Sequence, residues 1–419
     1  MTASLGARIK AEVEAWARFS AEDGKLTRVF LSPEHAQVAA AVTAAMTAAG
    51  MRARIDAIGN VVGRYEGATP NAPALLTGSH VDTVRDAGPY DGNLGVALPI
   101  ACIAELNTRG QRLPFAIEVI AFGDEEGVRF PTTFSGSRAI AGTFDPAVLA
   151  VRDSDGVTLA DALRAFGCQP EDIPAETRRP ADVIGFVEVH IEQGPVLERE
   201  GLPVGIVTAI NGASRFRLSV HGMAGHAGTV PMAGRQDALA GAAEMILAIE
   251  RRAQADDTLV ATVGQASADP GAVNVIPGRA DFTVDIRAPE DTLRQRAVAD
   301  VRTEVHAIAQ RRGLTVTMDE FHHQDAVACD PSMTDALAAA VARCGYLVRR
   351  LPSGAGHDAM AVAALCPMAM LFIRCGGGIS HNPAETITAE DVNAAARVFL
   401  EFLEAGLPLP APRPGTNQD

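Results

Sequence analysis

Four apolar runs recur along the chain, and each is followed by residues that can bind a metal ion. They cover residues 74–77, 115–122, 183–189 and 368–373, and short apolar runs between turn signals are typical of buried strands. Open α/β sheets place their binding sites at the carboxyl ends of such strands. We therefore expect the residues that follow the runs to meet at one edge of a sheet. These residues are His80, Asp82, Asp91, Glu125, Glu126, His190 and His381.

Amphipathic patterns predict further elements in the first half of the chain. Apolar residues at helical spacing predict a helix at the N-terminus. Ser32 and Pro33 have the character of an N-cap and a first helical residue, and Gly50 ends the second helix. Residues 51–56 alternate in polarity as a half-buried strand does, and a helix is expected over 95–108.

The pattern changes after Asn211-Gly212 and changes back near residue 328. Between these points the chain has the order strand, helix, strand, strand, helix, strand, which is typical of a compact α+β unit. Because candidate ligands lie on both sides of it, we expect a discontinuous catalytic domain, 1–211 with 328–419, and an inserted domain, 212–327. The proline-rich tail after Gly406 is expected to be disordered at its end.

Composition and charge exclude several classes of function. With 419 residues and 47% hydrophobic content the chain can bury a substantial core, and two domains are expected. A net charge of −15 argues against nucleic acid or an anionic membrane as partner. No apolar run is long enough to span a bilayer, and the N-terminus lacks the apolar core of a signal peptide. Six scattered cysteines indicate reduced thiols and a cytoplasmic location.

The ligand types indicate a site for two metal ions. Histidines combined with carboxylates suit zinc, manganese, cobalt or nickel. Five ligands exceed the needs of one open zinc site, but they fit two divalent ions that share a bridging carboxylate. We assign the bridge to Asp91, and we expect Asp82 to orient the His80 ring. The predicted ligands are His80, Asp91, Glu126, His190 and His381.

Glu125 stands beside ligand Glu126 and has no predicted ligand role of its own. An unligated carboxylate near a metal site can act as a general base. The reverse assignment, with Glu125 as ligand and Glu126 as base, is equally compatible with the spacing. The chain contains neither a GxSxG motif nor a P-loop, so a serine hydrolase and a nucleotide enzyme are both disfavoured.

Taken together, the motifs SHVDT, YDGNLG, DEEG, VHIEQG and ISHNPAE resemble those of dinuclear metallohydrolases related to zinc aminopeptidases and carboxypeptidases. The segments GHAGTVPM, NVIPG and SGAGHDA resemble the amidase–hydantoinase–carbamoylase branch. The resemblance implies an aminopeptidase-like mixed sheet and an inserted α+β lid domain through which two chains form a homodimer. It places His80, Asp91 and His190 on one metal ion. It places Asp91, Glu126 and His381 on the other, with Glu125 as the base.

The resemblance also implies a set of residues that contact the substrate. His226 would in addition donate to the oxyanion that develops during the reaction. From the residues alone, Asn274 can equally be a turn residue and Arg287 a partner in a surface ion pair. The implied substrate residues are Gln193, His226, Asn274, Arg287, Gly356 and His357.

The expected function is hydrolysis of the carbamoyl C–N bond of a small ureido carboxylate, with release of ammonia and carbon dioxide. Allantoate and N-carbamoyl-L-amino acids are the leading substrates, and β-ureidopropionate is the third. One alternative is a dipeptidase or aminoacylase of the same superfamily. Another is a metal-dependent binding or scaffold protein without activity, against which the presence of Glu125 argues.

Overall fold

The computed structural model describes residues 3–406, so the proline-rich tail lies outside the described residues. Up to residue 211 the helices and strands are α1 (Leu5–Trp16), α2 (Pro33–Ala48), β1 (Arg52–Ile55), β2 (Val61–Tyr65), β3 (Ala74–His80), α3 (Asn93–Thr108), β4 (Ala116–Phe122), α4 (Ser135–Ala141), α5 (Leu159–Phe166), β5 (Val183–Ile191), α6 (Val196–Glu200) and β6 (Val204–Ile210). They are followed by β7 (Gly212–His221), β8 (Gly225–His226), α7 (Ala238–Ala253), β9 (Val260–Thr262), β10 (Ala266–Asp269), β11 (Val275–Ile276), β12 (Arg279–Ala288), α8 (Asp291–Arg312), β13 (Thr315–Gln324) and β14 (Val327–Ala328). The last elements are α9 (Pro331–Arg343), β15 (Arg350–Ser353), α10 (Asp358–Val362), β16 (Met368–Ile373) and α11 (Ala389–Glu404). Short 3₁₀ helices cover Pro146–Ala150, Pro170–Glu176, Pro180–Asp182 and Gly376–Gly378.

The larger sheet contains the strand path β1-β2-β4-β3-β5-β16-β6. Its central strands β4, β3, β5 and β16 are parallel neighbours, whereas β1, β2 and β6 pair in antiparallel fashion. Every residue of the four central strands is buried. Parallel strands covered on both faces read as continuous apolar runs, which explains why these strands could be recognised. The predicted α/β class with a mixed sheet is confirmed.

The chain divides into two compact units. Within the described residues, the first runs up to Thr208 and includes Cys329–Leu351 and residues 357–406. The second comprises Ala209–Ala328 and Pro352–Gly356. A short segment just before His357 therefore belongs with the second unit, although the sequence analysis assigned it to the catalytic domain.

The second unit is built on the sheet β10-β12-β7-β13, with β9 also paired to β12. Burial alternates along β12: Phe282, Val284 and Ile286 are buried, whereas Asp285 and Arg287 are partly exposed. The buried side chains pack with those of α7 and α8 in one apolar cluster. The sheet therefore has one face covered by helices and one open face that carries polar side chains.

The structure contains short elements that the sequence analysis did not predict. The two-residue strands β8 and β11 pair with each other as a small ribbon, and α10 is a five-residue helix. Strand β9 covers only Val260–Thr262. Such elements are too short to show a period in polarity. Within residues 3–406, none of the helices combines the length and apolar character needed to cross a bilayer.

Candidate metal centre

Three neighbouring parallel strands carry candidate ligands to one edge of the larger sheet. His80 is the last residue of β3, and its register partner on β4 is Phe122, which precedes the segment containing Glu125 and Glu126. His190 is the second-to-last residue of β5, and its register partner on β16 is Phe372. Because these strands run in the same direction, their carboxyl ends meet at one place.

Asp91 lies at the centre of the cluster. Its Oδ1 is 3.5 Å from Nε2 of His80 and 3.1 Å from Nε2 of His190. Its Oδ2 is 3.2 Å from Nε2 of His381, and this nitrogen is 3.5 Å from Oε1 of Glu126. One carboxylate thus faces two groups of ligands, which is the arrangement that a bridging carboxylate needs.

The hydrogen bonds of the His80 and His190 rings leave their other ring nitrogens available as metal ligands. Nδ1 of His80 lies 2.9 Å from the main-chain oxygen of Asp82, and Nδ1 of His190 lies 2.9 Å from that of the next residue. A carbonyl only accepts, so each Nδ1 carries the proton and each Nε2 directs a lone pair toward Asp91. Among the described residues, Nε2 of His190 and Oε1 of Glu126 are buried without a hydrogen-bond partner. Divalent cations satisfy such converging lone pairs.

Asp82 supports the site differently from the sequence-based expectation. Its main-chain oxygen holds the His80 ring, whereas its carboxylate lies 4.0 Å from Nδ1. The two carboxylate oxygens instead accept hydrogen bonds from the main-chain N–H groups of Glu125 and Glu126, each at 3.2 Å. The main-chain oxygen of Asp82 holds the His80 ring because the Asp82 carboxylate is already bonded to the segment that carries Glu125 and Glu126.

The two adjacent glutamates occupy different places. Both have a carboxylate oxygen near His80, but only Glu126 also groups with Asp91 and His381. Burial raises the pKa of Glu125 well above its ordinary value, and the negative charges of Glu126 and Asp358 add to the rise. A carboxylate beside the ligands with a raised pKa has the character of a proton acceptor.

Glu385 fixes the loop that carries Asp91. Its Oε1 accepts hydrogen bonds from the main-chain N–H groups of Tyr90, at 2.6 Å, and of Asp91, at 3.2 Å. The next residue, Gly92, has φ of 67° and approaches the His80 ring so closely that a Cβ atom would lie 2.5 Å from it. The loop geometry therefore requires glycine.

Gln193, predicted to contact substrate, lies against the central carboxylate. Its Nε2 donates to Oδ2 of Asp91 at 2.9 Å and to Oγ of Ser380 at 3.1 Å. Ser380 itself donates to the same Asp91 oxygen at 2.5 Å. Gln193 and His381 both adopt left-handed backbone conformations, with φ of 56° and 55°. Such conformations are uncommon outside glycine and cluster at functional sites.

A second layer of buried polar residues lies behind His190. The ring of His357 packs edge-on against it with centroids 4.5 Å apart, and His357 is buried rather than on an open wall. Burial lowers the pKa of His357 well below its usual value, so the ring is neutral. Glu188 accepts a hydrogen bond from Ser79 Oγ at 2.7 Å. Burial, together with the charge of Glu188, raises the pKa of Asp358 well above its usual value.

The structure places the remaining predicted substrate residues in the second unit. His226 is exposed and pairs with Val275 in the β8–β11 ribbon, and Asn274 lies next to that ribbon. Arg287 lies on the open face of the sheet, where it contacts Asp285. Gly356 ends the short segment that belongs to this unit.

Sequence reasoning missed Ser380, Glu385, Glu188 and Asp358. Ser380 and Glu385 both lie within the ISHNPAE motif that contains His381, so proximity to this predicted ligand was the available signal. Glu188 is the only acidic residue inside an otherwise apolar run, which was a second signal. Buried carboxylates of this kind require partners.

Comparison with known proteins agrees with this geometry. Residues 76–405 match the sequence profile of peptidase family M20/M25/M40. The chain is 42% identical over 418 residues to allantoate deiminase 1 of Glycine max, with 92% of this chain and 86% of that protein covered. It is 40% identical over 376 residues to N-carbamoyl-L-amino acid amidohydrolase of Geobacillus stearothermophilus, with 90% and 92% covered. An amidase of the hydantoinase/carbamoylase family from Burkholderia multivorans has a TM-score of 0.91 at 34% identity, with 96% and 97% covered.

The chain therefore belongs to the M20/M25/M40 peptidase family. Within this family, its named relatives are amidohydrolases that act on non-peptide C–N bonds. Membership in this family implies divalent metal binding. The candidate ligands for such ions are the groups of histidines and carboxylates around Asp91. The resemblance recognised from the sequence motifs is confirmed.

Proposed function

We propose that this protein is a metal-dependent amidohydrolase that cleaves the carbamoyl C–N bond of a small ureido carboxylate. Allantoate and N-carbamoyl-L-amino acids are the substrates that the named relatives favour. The observation that carries the proposal is the convergence of four ligand residues on a fifth, Asp91, with Glu125 beside them. A scaffold protein would have no use for an unligated carboxylate at that position.

Two divalent ions fit the site, one held by His80, Asp91 and His190 and the other by Asp91, Glu126 and His381. These sets correspond to two of the compact ligand groups in the structure. Bound divalent ions supply a lowered pKa for water and positive charge for a carbonyl oxygen. Zinc, manganese, cobalt and nickel all suit this mixture of nitrogen and oxygen ligands.

Glu125 performs the proton transfers in the proposed reaction. It takes a proton from the water that attacks the carbamoyl carbon and then delivers this proton to the leaving nitrogen. Asp82 holds the main chain of Glu125 during both steps. Cleavage of this C–N bond releases ammonia and leaves a carbamic acid, which then loses carbon dioxide to give the amine.

Residues of the second unit are proposed to hold the substrate. Arg287 is suited to the carboxylate because its guanidinium can donate two parallel hydrogen bonds. His226 is exposed and can donate to the developing oxyanion. Asn274 lies beside the β8–β11 ribbon, within reach of the same substrate as His226. Gln193 is assigned here to positioning Asp91, since its amide already donates to that carboxylate.

The second unit is also the proposed homodimer interface. Helix α7 exposes Leu239, Ala243 and Leu247, which lie one turn apart on one side of the helix. Met232 and Val273 are exposed on the loops next to the β8–β11 ribbon. Exposed apolar side chains in one region mark surfaces that a partner covers, and a second copy of the chain is the partner proposed here.

A substrate panel tests the activity. Ammonia release is measured from allantoate, N-carbamoyl-L-amino acids and β-ureidopropionate, and amino-acid release is measured from a dipeptide. Each assay is run after chelation and with manganese, cobalt, nickel or zinc added back. We expect turnover of a ureido substrate that depends on the metal, and little on the dipeptide. Preferred dipeptide cleavage would favour the peptidase alternative. Full metal loading without turnover of any substrate would favour a binding protein.

A further inference from the structure

One carboxylate joins two arginines on the wall of a cavity in the second unit. The cavity has a volume of about 780 Å³ and opens on the uncovered face of the sheet. Asp285 accepts from Nε of Arg287 at 3.1 Å and from its Nη2 at 2.9 Å. It also accepts from Nε of Arg215, on the neighbouring strand, at 3.0 Å. Asp285 therefore fixes the plane of the Arg287 guanidinium through two parallel hydrogen bonds.

The remaining donors of Arg287 match a carboxylate. A guanidinium has five N–H groups. Two of them bind Asp285, and one on Nη1 donates to the main-chain oxygen of Gly354 at 2.7 Å. One N–H on Nη1 and one on Nη2 are left, and an ionised carboxylate accepts two donors side by side. The cavity thus presents Arg287 in one orientation before any ligand arrives.

We propose that Asp285 is a positioning residue that holds Arg287 ready to capture the carboxylate of the substrate. The inference rests on the proposed function, in which Arg287 binds that carboxylate. Without Asp285, the long arginine side chain would have to be ordered during binding, and this ordering weakens affinity. Ordering one such side chain corresponds to about a 2- to 12-fold change in affinity.

Charge alone predicts the opposite result, which makes the proposal easy to test. Removing a negative charge beside Arg287 increases the positive potential at the cavity wall. If Asp285 acted only through its charge, Asp285→Asn would lower KM for an anionic substrate. If Asp285 positions Arg287, the same variant raises that KM, because asparagine has one acceptor oxygen and cannot hold both nitrogens.

The experiment compares a ureido carboxylate substrate with its uncharged carboxamide analogue. KM and kcat are measured for the wild type, Asp285→Asn, Arg287→Ala and the control Asp281→Asn. Asp281 lies on the same strand and the same face, and it forms an equivalent ion pair with Arg279. The control therefore removes the same charge and the same kind of contact without touching Arg287.

We expect Asp285→Asn to raise KM for the carboxylate by about 2- to 12-fold, with the carboxamide and kcat little changed and Asp281→Asn resembling the wild type. The inference would be overturned if Asp285→Asn left the KM for the carboxylate unchanged or lowered it. It would also be overturned if KM shifted equally for both substrates, or equally in Asp285→Asn and Asp281→Asn. None of these results would contradict the proposed function. Equal effects of Arg287→Ala on both substrates would overturn the proposed role of Arg287. A wild type inactive on every ureido substrate would overturn the proposed function and this inference with it.

Discussion

The two compact units hold their candidate functional residues in opposite ways. In the first unit, His80 and His190 are almost fully buried, and the main chain fixes each ring through Nδ1. In the second unit, His226 is exposed, and its Nδ1 only accepts a hydrogen bond from Gly228 two residues along the chain. The buried set is arranged before anything binds, because converging charges and lone pairs tolerate little movement. We expect the exposed residues to become restricted when a substrate or a second chain covers them.

The largest effect is expected when the two buried glutamates, Glu125 and Glu126, are substituted one at a time and the two variants are compared. We expect Glu125→Gln to lower kcat by about 10²–10⁴-fold or more, because the proton acceptor is lost while the ligands stay. Metal content, measured by mass spectrometry, should remain close to that of the wild type. Glu126→Gln should lose metal as well as activity. If the two variants exchanged these results, the roles of the two residues would be reversed.

The next test asks whether the exposed set completes the site of another chain. A Glu125→Gln chain and a His226→Ala chain are co-expressed with different tags, and mixed dimers are purified through both tags. If His226 serves the partner in a two-fold symmetric dimer, one of the two sites is whole, and about half of the wild-type activity is expected to return. If His226 serves its own chain, neither site is whole. Mixed dimers as inactive as their parents would therefore contradict exchange between chains.

A smaller effect, on metal affinity, is expected from substitution of Glu385, which holds the loop that carries Asp91. Glu385→Ala leaves the N–H groups of Tyr90 and Asp91 without their acceptor. Partners of this outer kind typically contribute about 10- to 100-fold to metal affinity. Glu385→Gln keeps one acceptor oxygen and should lose less. Titration with a competing chelator measures the affinity, and equal behaviour of both variants and the wild type would remove Glu385 from the supporting network.

The smallest expected effect compares one glycine from each unit. Gly92→Ala forces a left-handed conformation that costs roughly 1–2 kcal/mol in an L-residue, and its Cβ would collide with the His80 ring. In Gly228→Ala the Cβ lies 3.3 Å from His226, and no left-handed backbone is required. Thermal unfolding with and without metal should show a lower Tm for the first variant only. Matching shifts would mean that the loop before α3 adapts.

The four central strands of the larger sheet were predictable because each is a mostly apolar run that is followed by residues able to bind a metal ion. That pattern found His80 and His190 directly. Glu385 lies near the predicted ligand His381 in the sequence, but its role could not be predicted, because its contacts with the Asp91 loop join residues 294 and 295 positions apart. The β8–β11 ribbon beside His226 contains two residues per strand, so it carries no detectable period.

The direction in which a side chain points could not be predicted from the sequence either. The sequence placed Asp82 two residues from His80, which suggested a contact between its carboxylate and the ring. In the fold, the following strand brings the N–H groups of Glu125 and Glu126 to that carboxylate first. The roles given to these residues stay predictions, whereas the fold class and the family are confirmed.

The left-handed residues around the metal centre set a limit on engineering this protein for heat resistance. Gln193 and His381 hold backbone conformations that glycine would adopt without strain. A screen for higher melting temperature would be drawn to such positions, since relief of strain stabilises the folded chain. At each of them, the side chain that would be removed is one that binds or braces the ligand cluster. Thermostability gained there would be exchanged for activity, so stabilising substitutions are better sought in the helices far from this edge of the sheet.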